Sequence, residues 1–511
     1  MSLFERRSSA ADADGPGWGG PGDPQDGPDI AQQFMARGQQ DAEAKRYVDA
    51  EASFRRAIEH KSDFAAAYNN IGWVRQMLGD IEGAELRYRQ SLHFNPSLRA
   101  ARKNLLMLLV KSGRRKESFE LWRDELTSDE DPTIFLEDQL SRALREHDFD
   151  LAGEYAALLS AFRWGSKWHP AEADAGRPPA FLMEPAVFLT IPKLAHDVEQ
   201  FSYLQRKQII GSEFTAVISA YDKLIDEMKA DGLQAPTPLN DDIRARIGHV
   251  YNRIINVRTT PRVSRALSDE WDPAKAEADY LDGDCGVVVV DDFLSREALE
   301  NVRLFCLEST VWSGNRYNHG RLGAFFRDGF NCPLLLQIAK ELQDALPRVI
   351  GRRYPLQQLW GFKTGETLPA DSTTHADFAA VNVNFWITPD DANLDKESGG
   401  MVVYDVQAPL NWDFDSYNGK LGVIGSYLRR KKAGSVRIPY RQNRAIIFNS
   451  DLFHATEAVH FRPGYENHRV NVTMLYGFRE NDIHHLDERI DRSIGSARPS
   501  SAGWRSAAFG R

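Results

Sequence analysis

The stretch STTHADFAAVNVNFWITP, residues 372 to 389, sets His375 and Asp377 two positions apart at the head of a run in which Val381, Val383, Phe385 and Ile387 alternate with Asn382, Asn384 and Trp386. Further along, IIFNSDLFHATEAV carries His454 just past another β-like run, and ENHRVNVTMLYG carries Arg469. Two histidines and one carboxylate at strand ends form a facial triad for Fe(II): they take one face of an octahedron and leave three positions open. A 2-oxo acid can fill two of these through its carboxylate and ketone oxygens, leaving the last for O2. If that acid is a dicarboxylate, its far end extends into the protein, where a planar guanidinium such as that of Arg469 can hold it through two charge-assisted hydrogen bonds.

The elements that must position these groups are strands. LQQLWGFK, AVNVNFWITP, GGMVVYDV, GSVRIPY, NRAIIFNS and RVNVTMLYGF are short, rich in β-formers and separated by turn residues, which predicts an antiparallel sandwich or barrel. Strand period places Arg469, Asn471 and Thr473 on one face, and Val470, Val472 and Met474 on an apolar face suited to an outer layer. Asn382, Asn384 and Trp386 share a face in the same way, and both polar faces are expected to look into one pocket. A strand and a capped helix, CGVVVVDDFLSREALENVRLFCLES, open this region.

Residues 280–480 resemble the 2-oxoglutarate and Fe(II)-dependent dioxygenases of the prolyl-hydroxylase-like group, on VVVVDDFLS, THADF, VNFWITP leading to SGGMVVYD, RAIIFNSDLFHAT and HRVNVT. The resemblance implies a double-stranded β-helix (jelly roll), with His375, Asp377 and His454 as iron ligands. It also implies Arg469 as the partner of the distal 2-oxoglutarate carboxylate, with Asn471, Asn382, Asn384 and Trp386 lining the co-substrate pocket. Arg462 competes with Arg469. Related halogenases carry a small residue in place of the carboxylate, so Asp377 favours hydroxylation. The Gly-rich WSGNRYNHGRLGAFFRDG is the expected lid or substrate loop, with Arg316 and Arg321 as recognition residues. A second His-x-Asp, His485 and Asp487, has no later histidine to complete a triad and is read as polar tail; His460 and His468 are read as loop residues.

Residues 31–164 repeat with a period of 34. Phe34 aligns with Tyr68, Gly38 with Gly72, Ala50 with Ala84, Phe54 with Tyr88 and Ser62 with Pro96; Leu105, Leu106, Ser118, Trp122, Ala152 and Ala156 continue the phase. This resembles the tetratricopeptide repeat, AAAYNNIGWVRQMLGDIEGAELRYRQSLHFNPS being the best copy. The small residues let paired helices approach, and the aromatics are expected to fill the space between neighbouring pairs. The resemblance implies an all-α solenoid whose groove binds a peptide, protein or carrier-bound substrate, or mediates self-association. Residues 1–30 are expected to be a disordered leader, 165–279 a helical connector, and 481–511 a polar tail. His196, with Asp197 and Glu199, is read as a helix surface or a buried structural contact.

Composition fits a multidomain α + β protein of 511 residues with net charge -10 and pI near 5.8, which gives no electrostatic footprint for nucleic acid or membrane. The one basic run, LRRKKAG, is read as a solvated loop. Cys285, Cys306 and Cys332 are odd in number and widely spaced, suiting free thiols, and no targeting segment is visible, so a cytoplasmic enzyme is expected. Two other readings stay open: a hydroxylase of a free amino acid or small metabolite, and a repeat-based interaction protein with an inert oxygenase fold.

Overall fold

The structure, a computed structural model, describes residues 30–123, 132–164, 188–232, 236–283, 286–314, 320–369 and 374–479. The chain divides after Glu130 into two compact units.

The N-terminal unit is a run of helices: α1 (Ile30–Glu43), α2 (Tyr47–His60), α3 (Ala65–Met77), α4 (Ile81–Phe94), α5 (Arg99–Lys111) and α6 (Arg115–Arg123). A Cβ on Gly38 would lie 2.4 Å from the Phe54 ring, and one on Gly72 2.7 Å from the Tyr88 ring, so only glycine fits either place. Each aromatic therefore packs directly on the glycine of its own helix pair, rather than lying only between pairs as the sequence suggested. The turns repeat as well. Lys45, Gly79, Gly113 and His147, 34 apart, all have positive φ (59, 85, 71 and 59°). At each turn the following N–H donates to the carbonyl five residues back: Arg46 to Asp41, Asp80 to Arg75, Arg114 to Leu109 and Asp148 to Ala143. Only two of the four left-handed positions are glycines, so the turn residues add no identity to the period read from the helices.

The fourth turn belongs to the C-terminal unit. Helices α7 (Pro132–Arg145) and α8 (Phe149–Trp164) continue the period, yet they are built onto the sheet region. The His147 ring bonds Gln343 Oε1 at 3.0 Å, Trp164 Nε1 donates to Asp328 at 2.9 Å, and Arg163 pairs with Asp328 at 3.3 Å. Helices α9 (Ile191–Arg206) and α10 (Phe214–Ala230) share a core with Leu307 and Tyr465.

Two sheets follow, built from β1 (Val287–Val290), β2 (Arg321–Phe325), β3 (Leu356–Thr364), β4 (Val381–Trp386), β5 (Met401–Gln407), β6 (Ser435–Ile438), β7 (Ala445–Asn449), β8 (Leu452–Thr456) and β9 (Arg469–Tyr476), beside a short pair of two-residue strands, Thr367–Leu368 and Val459–His460. The larger sheet runs β1-β7-β4-β9-β3-β2 and the smaller β8-β5-β6, every pairing antiparallel. Trp386, Ile446 and Phe448 from the first share a core with Met401, Val403, Ile438 and Leu452 from the second, which places the two sheets face to face.

Two expectations change here. LRRKKAG is the end of a helix, Leu421–Lys431, closed by Lys432 in the left-handed region at φ 54°; cations in a last turn suit the negative end of the helix dipole. The segment read as a movable loop contains edge strand β2, because Arg321, Gly323 and Phe325 alternate into the sheet opposite Thr364, Phe362 and Trp360. Arg316 lies outside the described residues, as do His485 and Asp487. Among the described residues no helix is long and apolar enough to cross a membrane.

Candidate metal centre

His375 and His454 face one another in an isolated antiparallel bridge, each N–H donating to the other's carbonyl at 3.0 and 2.8 Å. Directly opposed residues in such a pair project to the same side, and the two imidazoles lie 4.4 Å apart by centroid. Two residues on, the Asp377 N–H donates to Ser450 O at 3.0 Å, returning that carboxylate to the same side. Asp377 Oδ1 lies 3.6 Å from His375 Nε2, and Oδ2 lies 3.5 Å from His454 Nε2. One ligand atom from each of the three residues falls within 4.8 Å of the others.

The supporting groups hold these atoms in a usable state. His454 Nδ1 is 3.0 Å from Leu452 O; its N–H donates there, which leaves the Nε2 lone pair facing the group. Asn382 Nδ2 donates to Asp377 Oδ2 at 2.6 Å. Burial raises the Asp377 carboxyl above the usual carboxylate range, against the opposing pull of His454, Arg321 and the Asn382 hydrogen bond. A cation here would hold it ionised. Between the ligands, Ala376 is clamped by the helical insertion that follows β5: its N–H donates to Tyr417 O, and its carbonyl accepts from Asn418 Nδ2, both at 2.9 Å. Two imidazole nitrogens and a carboxylate oxygen in one compact group fit a divalent iron, which such a facial triad would leave with three further positions.

Both polar strand faces do converge. Register sets Asn471 opposite Trp386 and Thr473 opposite Asn384. Asn384 Nδ2 donates to Asn382 Oδ1, and Asn384 Oδ1 accepts from Thr473 Oγ1 at 2.6 Å and Asn471 Nδ2 at 3.2 Å. A hydrogen-bonded line therefore joins the Asp377 carboxylate to Asn471, whose Oδ1 accepts from Arg469 Nη1 at 3.3 Å. The amides orient one another and the carboxylate.

Arg469 is 2% exposed and sits over Trp386 and Tyr440, 5.5 and 5.8 Å from their ring centres. Its Nε donates to Gly399 O at 2.6 Å and Nη2 to Gly400 O at 3.4 Å. Burial pulls its pKa down to about 10, and among the described residues no carboxylate forms an ion pair with it. Of its five N–H hydrogens three are directed to these partners, so one remains on each Nη. The competitor Arg462 is a surface residue paired with Asp391 at 3.1 Å. Trp386 contributes an apolar floor; its buried Nε1 has no hydrogen-bond partner among the described residues.

The other histidines stand apart. His196 is a buried structural contact, its Nδ1 3.0 Å from Asp197, which itself pairs with Lys193. His468, expected in a loop, is buried with Nε2 3.0 Å from Glu199, while His460 is exposed. Sequence reading missed Lys363, which lies on the outer face of β3 and is 1% exposed. Its Nζ donates to Cys306 O at 3.0 Å and Tyr465 Oη at 2.8 Å. Its neighbours in LQQLWGFKTG gave no signal, since a lysine at a strand end reads as exposed.

No protein-family model matches the sequence, and no curated protein matches it. Among solved structures it is similar to SnoK, a non-heme alpha ketoglutarate dependent carbocyclase from nogalamycin biosynthesis, at 10% identity and TM-score 0.29 over 44% of this chain and 94% of that one. It is similar to the epimerase SnoN from the same biosynthesis, at 16% and 0.29 over 44% and 92%. It is also similar to EctD from S. alaskensis, crystallised with Fe, at 15% and 0.27 over 44% and 85%. The likeness is distant, so the functional reading rests on the side chains themselves.

Proposed function

We propose that this chain is an Fe(II)- and 2-oxoglutarate-dependent dioxygenase that hydroxylates a C–H bond, with His375, Asp377 and His454 as iron ligands and Arg469 as the anchor of the distal 2-oxoglutarate carboxylate. The observation that carries this is a pairing: a compact group of two imidazoles and a carboxylate, joined by a line of hydrogen-bonded amides to a buried guanidinium with one hydrogen left on each Nη. A buried cation is stable only with compensation, and a carboxylate bound across the two Nη atoms supplies it. Bound iron would supply dioxygen activation, with 2-oxoglutarate leaving as succinate and carbon dioxide. The chain's own part is to fix Asp377 through Asn382, to hold Arg469 against Gly399 and Gly400, and to exclude water with Trp386 and Tyr440.

On the same reading the facing sheets are a double-stranded β-helix and the 34-residue helical period is a tetratricopeptide array. The repeated turn at 45, 79, 113 and 147 supports the array, and its role on this reading is to present a peptide, protein or carrier-bound substrate. The test is succinate formation from 2-oxoglutarate by the Fe(II)-loaded protein in air. Turnover that His375→Ala and Asp377→Ala each abolish supports the assignment, and turnover surviving either substitution rejects it.

A further inference from the structure

The same sheet face carries a second buried guanidinium. Arg321 opens edge strand β2 and is 7% exposed. It stands opposite Thr364, which in turn stands opposite Arg469, so the two arginines share one row on one face, two strands or about 10 Å apart. Its positive charge acts on both Asp377 and Arg469. Each leans one strand towards β4, Arg469 over Trp386 and Arg321 over Phe362 with its guanidinium carbon 3.9 Å from the ring centre, but Arg469 is also tied to the Gly399 and Gly400 carbonyls. Between them the Thr364 hydroxyl, 1% exposed in its residue, has no hydrogen-bond partner among the described residues.

From Arg321 a continuous aromatic surface leads to the metal turn. Phe362 meets Phe325 at 6.4 Å and Trp360 at 6.1 Å, and Trp360 meets Phe378 at 6.4 Å. Phe378 directly follows Asp377. Phe325, Trp360 and Phe378 are each only partly buried, so the wall keeps open ring surface although it lies beside the candidate centre.

We propose that this wall is the substrate site and that the substrate is an apolar, aromatic or chain-like acid. Its carboxylate is held by Arg321 with Thr364, its body lies along Phe362, Trp360 and Phe378, and its target C–H bond is delivered to the triad. The assignment rests on the oxygenase reading. A planar guanidinium stacked on a ring presents its N–H edge to a carboxylate, and the rings favour flat or extended apolar surface. Arg469, held at Gly399, Gly400 and Asn471, keeps the co-substrate.

The test is calorimetric titration, under argon, of the full chain loaded with Fe(II) and 2-oxoglutarate. The probes are 3-phenylpropionate against 3-phenylpropanamide, for a free acid, and N-acetyl-glycyl-phenylalanine against its C-terminal amide, for the same group at a peptide end. In at least one pair the acid binds roughly 10-fold or more tightly than the amide. Arg321→Gln removes that preference and Arg321→Lys keeps part of it, while 2-oxoglutarate affinity stays within about twofold of the parent. The pair showing the larger preference identifies the source of the acid. Equal binding of acid and amide in both pairs overturns the proposal, as does loss of 2-oxoglutarate affinity in Arg321→Gln, which would give Arg321 to the co-substrate. Failure of the unmodified protein to take up Fe(II) and 2-oxoglutarate would overturn the oxygenase reading and this proposal with it.

Discussion

Arg469 is the side chain whose surroundings say most about its use. A guanidinium 2% exposed, directed at two glycine carbonyls and one amide, is a poor structural element unless an anion joins it. Arg469→Ala removes the partner of a carboxylate in a poorly solvated interior, a loss on the order of 2–4 kcal/mol, so 2-oxoglutarate binding should weaken by roughly 30- to 1000-fold while Fe(II) still binds. Arg462→Ala disrupts only an exposed pair with Asp391 and should change 2-oxoglutarate affinity by less than about threefold. Titration of 2-oxoglutarate into both variants separates them; a larger effect at Arg462 would refute the assignment. At this scale much was legible: a His-x-Asp turn, a later histidine at a strand end and an arginine on a polar strand face identified the group that the fold brings together. The roles of Asn382 and Asn384 were not, because which amide meets which carboxylate depends on register between strands distant in sequence.

Strand β3 shows what an element can hide. Its inner face carries Trp360, Phe362 and Thr364, while its outer face buries Lys363, whose Nζ lies 4.4 Å from the ring centres of both Trp312 and Tyr465. Burial lowers the Lys363 pKa from 10.5 to about 7. The unfolded chain then binds the proton more readily than the folded one between those two values, so this residue's contribution to stability grows as pH rises from about 7 toward 10.5 and is lost as pH falls through 7. Ring faces and two acceptors favour the ammonium form and reduce the size of the effect, not its sign. Lys363→Met should therefore gain stability relative to the parent most at pH 6.5, with the difference shifting toward the parent at pH 9.5. Urea midpoints at the two pH values provide the measurement, and a difference independent of pH would contradict it. The strands themselves were readable from alternation and turn residues. The outer layer was not, since Cys306, Trp312 and Tyr465, which meet Lys363 on β3, lie far away in the chain.

For the whole molecule, the period of 34 was visible in sequence, but the place where the chain divides was not. The helix pair α7 and α8 keeps the repeat's phase and turn geometry, yet it is tied to the sheet region through His147, Arg163 and Trp164. A truncation at residue 164 would strip those contacts, whereas one at residue 130 follows the division between compact units. Deleting residues 1–130 should leave Fe(II) binding and uncoupled succinate formation within about twofold of the parent. If the helical array docks the substrate, coupled oxidation of a peptide or carrier-bound substrate should lose efficiency through a raised KM, because the array adds its affinity through effective concentration. Steady-state kinetics on the truncated chain checks this. An unchanged KM with an altered oligomeric state would make the array an assembly module.

The central claim is that His375, Asp377 and His454 bind iron and that 2-oxoglutarate completes the site. Anaerobic titration of Fe(II), then 2-oxoglutarate, into the metal-free protein, followed by the visible charge-transfer band of the chelated co-substrate, tests it most directly. The account predicts one iron and one 2-oxoglutarate per chain, loss of iron uptake in Asp377→Ala and His454→Ala with far-UV circular dichroism unchanged, and retained iron uptake with weakened 2-oxoglutarate binding in Arg469→Ala. Iron uptake and a charge-transfer band that survive replacement of Asp377 or His454 would contradict it.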